Sequence, residues 1–407
     1  MRAIAWQRAT CLSILLSLAA PVAAADDVNI DARAAVGVWS RDFNLPKDPG
    51  VAAASFKLGV RWSPSDALSA RTELFGYATF GNARDRQRAE LRTAVLIHEG
   101  ERHALRVGRQ VEVWGKADKL NPTDSLSPRD FRILSSDDDD QRLGLAMVRA
   151  DLVLDDRLRL KSYWVPEFRP TNLIFPLSPQ IARDKRDYDV GQVAVKLDSS
   201  GGAFDWSLSW YEGRDCIYDL ALERGGIAQR YNRIRVIGAD LAGAAGPWGY
   251  RAEAAYTDTR YDPLRNPLVR RPEFWAIIGL DRNFGSGLYA NVQASFRRVF
   301  KFDDMLPVPA AQLRPQIDIL RFQQDETQFG MTANLRYAWD DQRWAAEAVA
   351  LHYVDRGQGL ARFELRHQLT PQISLRGRAQ KFFGPTYSYF GRVAPASAVS
   401  LEARATF

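Results

Sequence analysis

A period of two, held over unusually long stretches, narrows the possible folds more than any other feature of this chain. Residues 54–62, "ASFKLGVRW", put Ala54, Phe56, Leu58, Val60 and Trp62 on one face and Ser55, Lys57, Gly59 and Arg61 on the other. "LYANVQASFR" sets Leu288, Ala290, Val292, Ala294 and Phe296 against Tyr289, Asn291, Gln293, Ser295 and Arg297. "ARFELRHQL" does the same with Ala361, Phe363, Leu365 and Leu369 against Arg362, Glu364, Arg366 and Gln368. Successive side chains of a strand point to opposite faces, so each stretch is a strand with one apolar and one charged face. A soluble β-sandwich also alternates. Its strands, however, usually run about 5–6 residues, whereas these run about 10–14. A tilted strand needs about 9–11 residues to cross a bilayer. The apolar faces are mainly Ala, Val and Leu with aromatic residues near their ends, as two interfacial girdles require.

Eighteen such segments can be marked, from 28–41 to 394–407, among them 102–114, 157–168 and 187–197. Short turns such as "EGE", "SSGGA", "GSG" and "TPQ" follow every even segment. Longer connections, such as 115–141, 215–229 and 301–325, follow odd ones. Lipid cannot hydrogen-bond an open sheet edge, so a membrane sheet must close. The expected fold is therefore all-β: a transmembrane antiparallel β-barrel of about 18 strands, with 16 as the fallback that keeps both termini on the short-turn side. The ending "SLEARATF" alternates to the last residue. It is expected to close the sheet against the first strand near Ile30, with Phe407 as the signal read by the outer-membrane insertion machinery.

The N-terminus carries Arg2 and Arg8, an apolar run from Cys11 to Ala20, and small residues at Ala23 and Ala25. This is the pattern of a secretory signal, so the expected organisation is a cleaved signal over 1–25 and one barrel domain over 26–407. Cleavage would leave Cys216 as a lone cysteine, a structural or exposed loop residue with no internal disulfide. The net charge of +6 reflects nearly balanced acids and bases and gives nucleic-acid binding no support. Beyond the signal no apolar run approaches the length of a membrane helix. The expected location is the outer membrane of a Gram-negative bacterium, among membrane lipids and lipopolysaccharide, as a monomer or a trimer.

With the apolar faces outward, the charged faces line the lumen. The expected lining is Arg61, Arg71, Arg88, Arg92, Arg106, Arg149, Arg159, Arg251, Arg297, Arg336, Arg362, Arg366, Arg376 and Arg378. Arg33, Lys57, Lys161, Arg233, Arg235 and Arg404 join them, with fewer acids, among them Asp31, Glu73, Glu90, Glu253, Glu364 and Glu402. Part of this charge pairs across strands. The basic surplus favours anionic or polyhydroxylated solutes. The connection 115–142 carries Lys116, Lys119, Asn121, Asp124, Arg129 and Arg132, and is expected to fold inward as a constriction. Its run Asp137, Asp138, Asp139 and Asp140 could hold calcium, although a charge run is more often solvated. In 162–179, four prolines accompany Trp164, Phe168, Ile174 and Phe175, which suits an interfacial girdle with loop packing or stacking on sugar rings.

Past the signal the histidines are His98, His103, His352 and His367. The first two flank a short turn; the others lie on neighbouring strands with outward parity. No serine is placed beside them as a nucleophile would need. No enzyme activity and no cofactor are expected. A membrane-embedded hydrolase and a plugged surface-binding or assembly barrel stand as the alternatives to a channel.

The stretch "LRVGRQVEVWGKADKLNPTDSLSPRDF" carries Gly108, Arg109, Gln110, Trp114 and Gly115, then Asn121, Pro122 and Asp124. It resembles a family of uncharacterised Gram-negative outer-membrane barrels with a G-R-Q-x-x-x-W-G strand and an N-P-x-D turn. More distantly it is similar to alginate-export and porin-type barrels. The alginate-export resemblance implies 18 strands and an arginine-lined lumen passing an anionic polysaccharide. The function this suggests is an outer-membrane channel, a porin or a polysaccharide or solute passage. Arg109 is the awkward residue: alternation from Leu105 and Val107 points it into lipid, which is costly. Gly108 is therefore expected to mark a bulge that turns Arg109 or Gln110 inward.

Overall fold

The computed structural model describes residues 27–40, 50–80, 86–118, 120–174, 181–182, 191–223, 226–308 and 310–407. The expected signal over 1–25, Lys119 and Phe175 lie outside them. Eighteen strands form one antiparallel sheet. They are β1 Val28–Trp39, β2 Val51–Ser65, β3 Leu68–Phe80, β4 Gln87–Glu99, β5 His103–Gln110 and β6 Leu145–Val153. Next come β7 Leu158–Val165, β8 Gln192–Ser199, β9 Phe204–Arg214, β10 Arg233–Ala245, β11 Trp248–Thr259 and β12 Glu273–Asn283. The last are β13 Leu288–Val299, β14 Thr327–Trp339, β15 Trp344–Tyr353, β16 Gln358–Gln368, β17 Ile373–Phe383 and β18 Ala398–Thr406. Each pairs with the next, and β1 also pairs with β18 from Arg33 opposite Thr406 to Trp39 opposite Ser400. The sheet is a closed barrel. Phe407 continues the seam: its N–H donates to Ala32 O at 2.8 Å, and Ala32 N–H donates to Phe407 O at 3.0 Å.

The outer and inner faces reverse the usual inside and outside of a soluble protein. Ile237, Ile278, Leu280, Met331 and Leu401 stand more than half exposed on the outer face. Glu253, Gln293, Asn334 and Glu402 are buried inside. Such a surface belongs to a barrel solvated by lipid. Aromatic contacts gather at both ends of the wall. At the short-turn end Trp339 stacks on Tyr337 and Trp344, and Arg282 lies 5.1 Å over Trp248 and 5.0 Å over Phe284. At the other end Tyr256 meets Phe300, and Phe296 meets Phe329.

The packed core lies inside the barrel, because the chain between β5 and β6 enters it. Trp114 and Leu126 of that connection are buried against Tyr163, Tyr211, Ile234, Val236 and Ala255 of the wall. Ile133 is buried against Trp39, Phe75 and Tyr77. This inner packing corrects two expectations. β5 ends at Gln110 instead of 114, since residues 111–114 turn into the lumen to bury Trp114. Arg233 and Arg235 face outward, because Ile234 and Val236 are the residues that meet the inner core; Arg235 pairs with Glu212 at 3.2 Å on the outer face. The register between β4 and β5 runs straight from Glu99 opposite Ala104 to Ala94 opposite Arg109, so no bulge falls at Gly108. The irregularity lies in β4, where Arg92 is the extra residue against the Glu73–Leu74 step of β3.

Beyond the barrel strands, residues 181–182, 219–223 and 226–230 form a small sheet at the long-loop end. Helix α1 spans Ala310–Arg321 and helix α2 Tyr389–Val393. Among the described residues no helix is long and apolar enough to cross a membrane.

Candidate functional site: the lumen and its inward connection

The first limb of the inward connection is tied to the β9–β14 side of the wall. Glu253 on β11, buried inside the barrel, accepts hydrogen bonds from Lys116 N at 3.0 Å, Ala117 N at 3.1 Å, Thr123 N at 2.8 Å and Thr123 Oγ1 at 2.8 Å. Gly115 sits at φ +96°, and a Cβ there would lie 2.5 Å from a Glu253 carboxylate oxygen, so the close approach requires glycine. Lys116 Nζ lies 3.8 Å from Asp205, and Asp118 accepts from Asn334 Nδ2 at 3.0 Å. Trp114, Asn121 and Asp124 form one local unit: Asn121 Nδ2 donates to Trp114 O at 3.1 Å, and Trp114 N donates to Asp124 Oδ1 at 3.4 Å. Arg142 closes it with a 3.2 Å contact to Asp124. Burial raises the Asp124 carboxyl above its ordinary range, against the pull of Arg142.

The second limb docks on the opposite wall, where arginines gather on β1, β4, β16, β17 and β18. Asp137 pairs with Arg33 at 2.8 Å and Arg404 at 3.4 Å. Asp138 pairs with Arg362 at 2.9 Å and Arg378 at 3.8 Å. Asp139 pairs with Arg142 at 2.9 Å, and Asp140 with Arg33. Ser136 N donates to Glu402 Oε2 at 3.0 Å. Asp137, Asp138 and Asp140 thus supply counter-ions to wall arginines, while Asp139 is largely exposed and pairs within the connection. Among the described residues no group of three or more His, Cys, Asp or Glu is arranged to hold a metal. Burial pushes Asp137 upward, but Arg33 and Arg404 outweigh it and hold the carboxyl below its ordinary range. Arg132 is braced within the limb by Asp130, which Arg88 also contacts at 3.0 Å. Arg129 has no carboxylate partner among the described residues; burial and the neighbouring Arg142 lower its pKa.

The wall arginines divide into three groups. Arg149 is bound by Asp151 at 2.7 Å and Glu112 at 3.0 Å, Arg251 by Asp281 at 2.6 Å, Arg378 by Glu364 at 2.7 Å and Arg88 by Glu90 at 2.8 Å. Looser contacts join Arg92 to Glu73 (3.4 Å), Arg106 to Glu99 (3.8 Å), Arg297 to Glu273 (3.8 Å), Arg336 to Glu347 (4.0 Å) and Arg376 to Glu364 (3.8 Å). Arg61, Arg71, Arg159 and Arg366 have no carboxylate oxygen within 4.0 Å among the described residues. Like-charged residues stand opposite each other at several places, among them Arg33 and Lys57, Arg106 and Arg149, Lys161 and Lys196, and Glu347 and Glu364. Arg61 opposite Arg71 and Arg366 opposite Arg376 differ in that Arg61, Arg71 and Arg366 also lack a nearby carboxylate among the described residues.

Arg109 stays outward, and its charge is met there. Its Nη2 donates to Glu167 at 2.8 Å and its Nη1 to Gly144 O at 2.9 Å. Gly108 is needed for contact instead of a bulge: a Cβ would lie 2.1 Å from Ala94 O. Gln110 turns into the lumen by ordinary alternation and is buried. His98 and His103 lie with ring centres 5.6 Å apart at their turn. His352 stacks on Phe383 and His367 on Trp344, near opposite ends of β15 and β16, so the two share no site.

Residues 301–325, read from sequence only as a long connection, supply a second inward element. Arg321 at the end of α1 donates to Asp215 at 2.8 Å and Asp219 at 2.7 Å, and Gln323 donates to Glu273 at 2.7 Å. No local signal marks this: the partners lie about a hundred residues away in the chain, and Pro315 sits inside the helix. A cavity of about 1250 Å³ lies between these elements and the wall, bordered by Arg129, Arg362, Arg376, Trp275, Phe322 and Leu360.

Residues 82–254 match the model of a family described as "Protein of unknown function (DUF1302)", a span that includes the 105–131 stretch. No curated protein matches the sequence. Among solved structures, the chain is similar to OccK5 (OpdH) of Pseudomonas aeruginosa, with a TM-score of 0.56 and 10% identity over 94% of this chain and 98% of that one. It is similar to OccAB2 of Acinetobacter baumannii, with a TM-score of 0.57 and 8% identity over 94% and 98%. OccAB3 of the same organism matches with a TM-score of 0.56 and 11% identity over 94% and 100%. At such identities the likeness is one of fold, and that fold is the closed 18-strand antiparallel barrel.

Proposed function

We propose that this chain is an outer-membrane channel of the porin type, whose basic lumen favours anionic or polyhydroxylated solutes and whose 115–142 connection sets and gates the constriction. In this reading the 1–25 signal is removed on export. Phe407 is recognised by the insertion machinery, and membrane lipids with lipopolysaccharide surround the wall.

The observation that carries the reading is a set of wall arginines without a counter-ion among the described residues: Arg61 and Arg71, which face each other, Arg366, which faces Arg376, and Arg159. Like charges directly opposite each other destabilise a sheet. None of the four has a carboxylate oxygen within 4.0 Å among the described residues. Charge left uncompensated on the inside of a pore attracts the opposite sign in transit. The other wall arginines described above have an acid within 4.0 Å, so selectivity rests on Arg61, Arg71, Arg159 and Arg366.

The test is solute flux into liposomes carrying the folded protein. Anionic solutes should enter faster than cations of the same size, and the double variant Arg71→Ala, Arg366→Ala should reduce that difference severalfold. Equal entry of both signs in the unaltered protein would refute the anion preference.

A further inference from the structure

On the inner face of β15–β17 the polar-inward rule breaks down. Leu351 lies directly opposite Leu360, and Leu360 directly opposite Phe382, giving a continuous apolar row across three strands. Phe390 and Val393 of α2 back this row, while Phe322 and Leu120 pack against it from the two inward elements. Leu360, Phe322 and Phe382 are only partly covered and border the cavity. Docking of the inward elements accounts for the covered part of the row; the part of Leu360, Phe322 and Phe382 left open beside the cavity offers a place where an apolar group can rest. Phe322 also has a left-handed backbone, φ +58°, unusual for an aromatic residue. It forms the left-handed cap that closes α1, with Gln323 N donating to Asp318 O at 2.7 Å, and this fixes the ring beside the row.

Two residues further along β16 from Leu360, on the same inner face, is Arg362, about 7 Å away by strand geometry. Its guanidinium is held by the carboxylate of Asp138 at 2.9 Å, and that carboxylate is itself about half exposed. An apolar row and a carboxylate–guanidinium pair with a half-exposed carboxylate therefore meet in one cavity.

We infer that this cavity is a binding site for an organic anion with an apolar body, the body lying on Leu360, Phe322 and Phe382 and the anionic group replacing Asp138 on Arg362. The inference deepens the channel reading and rests on it for the claim that the bound anion is in transit. It selects apolar anions over sugar acids of equal charge.

Titration calorimetry on the full-length folded barrel in detergent tests it, with naphthalene-2-sulfonate and glucuronate as probes against a matched detergent blank. The naphthalene anion should bind more tightly by roughly tenfold or more, the effect of about two buried methylene groups. Leu360→Asn should abolish that preference, and Arg362→Ala should weaken both anions. If Leu360→Asn does not fold, Leu120→Asn, on the inward connection instead of the wall, should lower the same ratio. Equal binding of the two probes, or a preference that survives these substitutions, overturns the site. Planar-bilayer recordings on the same samples separate the two readings. Conductance without discrimination overturns this inference alone; discrimination without conductance supports the site and overturns the channel.

Discussion

Replacing Glu253 with alanine should release the first limb of the inward connection. The carboxylate accepts four hydrogen bonds, three of them from backbone N–H groups of residues 116, 117 and 123. Hydrogen bonds to a charged group contribute about 1.5–3 kcal/mol each, and they do not add fully. Once freed, the limb can turn its N–H groups to lumenal water, so the loss is smaller than four full bonds. A total of about 3 kcal/mol corresponds to roughly a hundredfold fall in the docked-to-undocked ratio. The Glu253→Gln side chain keeps one acceptor oxygen and turns an N–H donor toward N–H groups, so about half of the effect should remain. Limited trypsin digestion of the folded barrel reads the undocked population directly, through cleavage after Lys116. Expected is a protease-resistant limb in the unaltered protein, rapid cleavage in Glu253→Ala, and an intermediate rate in Glu253→Gln. Single-channel conductance should rise in the same order. If Glu253→Ala resists trypsin as well as the unaltered protein, the anchoring role assigned to this carboxylate is wrong.

Other consequences can be checked separately. Asp137 and Asp130 are held below the ordinary carboxylate value of 3.8, burial being outweighed by Arg33 and Arg404 for the first and by Arg132 and Arg88 for the second. Their contribution to docking is therefore complete above that value and is lost as the pH falls through the lower folded values. Trypsin cannot work there, so pepsin digestion at about pH 2–3 should expose the second limb before the barrel itself unfolds. Deleting Phe407 removes both seam hydrogen bonds to Ala32. Quantitative blotting of membrane fractions should show several-fold less assembled protein, and normal levels would contradict the role given to that residue. Burial pushes the Cys216 thiol up to about 11, so iodoacetamide should label this partly accessible residue much more slowly at neutral pH in the folded protein than after denaturation.

Much of this architecture was legible in the sequence because lipid leaves a strand little choice. Polar and apolar residues had to alternate over the full bilayer thickness, and that alternation located the wall, its parity through "SLEARATF" and the inward arginines. Reading failed where something other than lipid or water met the strand. Ile234 and Val236 look lipid-facing by type, yet they face Leu126 inside the barrel, so Arg233 and Arg235 stand on the side opposite to the one their charge suggests. The run Asp137–Asp140 could not reveal its partners, since Arg33, Arg362 and Arg404 lie 104, 224 and 267 residues from the aspartates they meet. Arg109 was recognised as costly on the outer face, but the remedy is Glu167 across β6 and not a bulge. Helix α1 left no period-two trace, and its anchors Asp215 and Asp219 lie in another connection. Local pattern reports the solvent of a strand; it does not report which distant loop comes to rest on it.

The central claim is that solutes cross this barrel past the docked connection. The most direct measurement is the planar-bilayer current of the purified, folded protein under a KCl gradient. Stable conductance steps are expected, with a reversal potential displaced toward that of chloride. A folded barrel that inserts and gives no current, or one whose reversal potential lies toward potassium, would contradict the account.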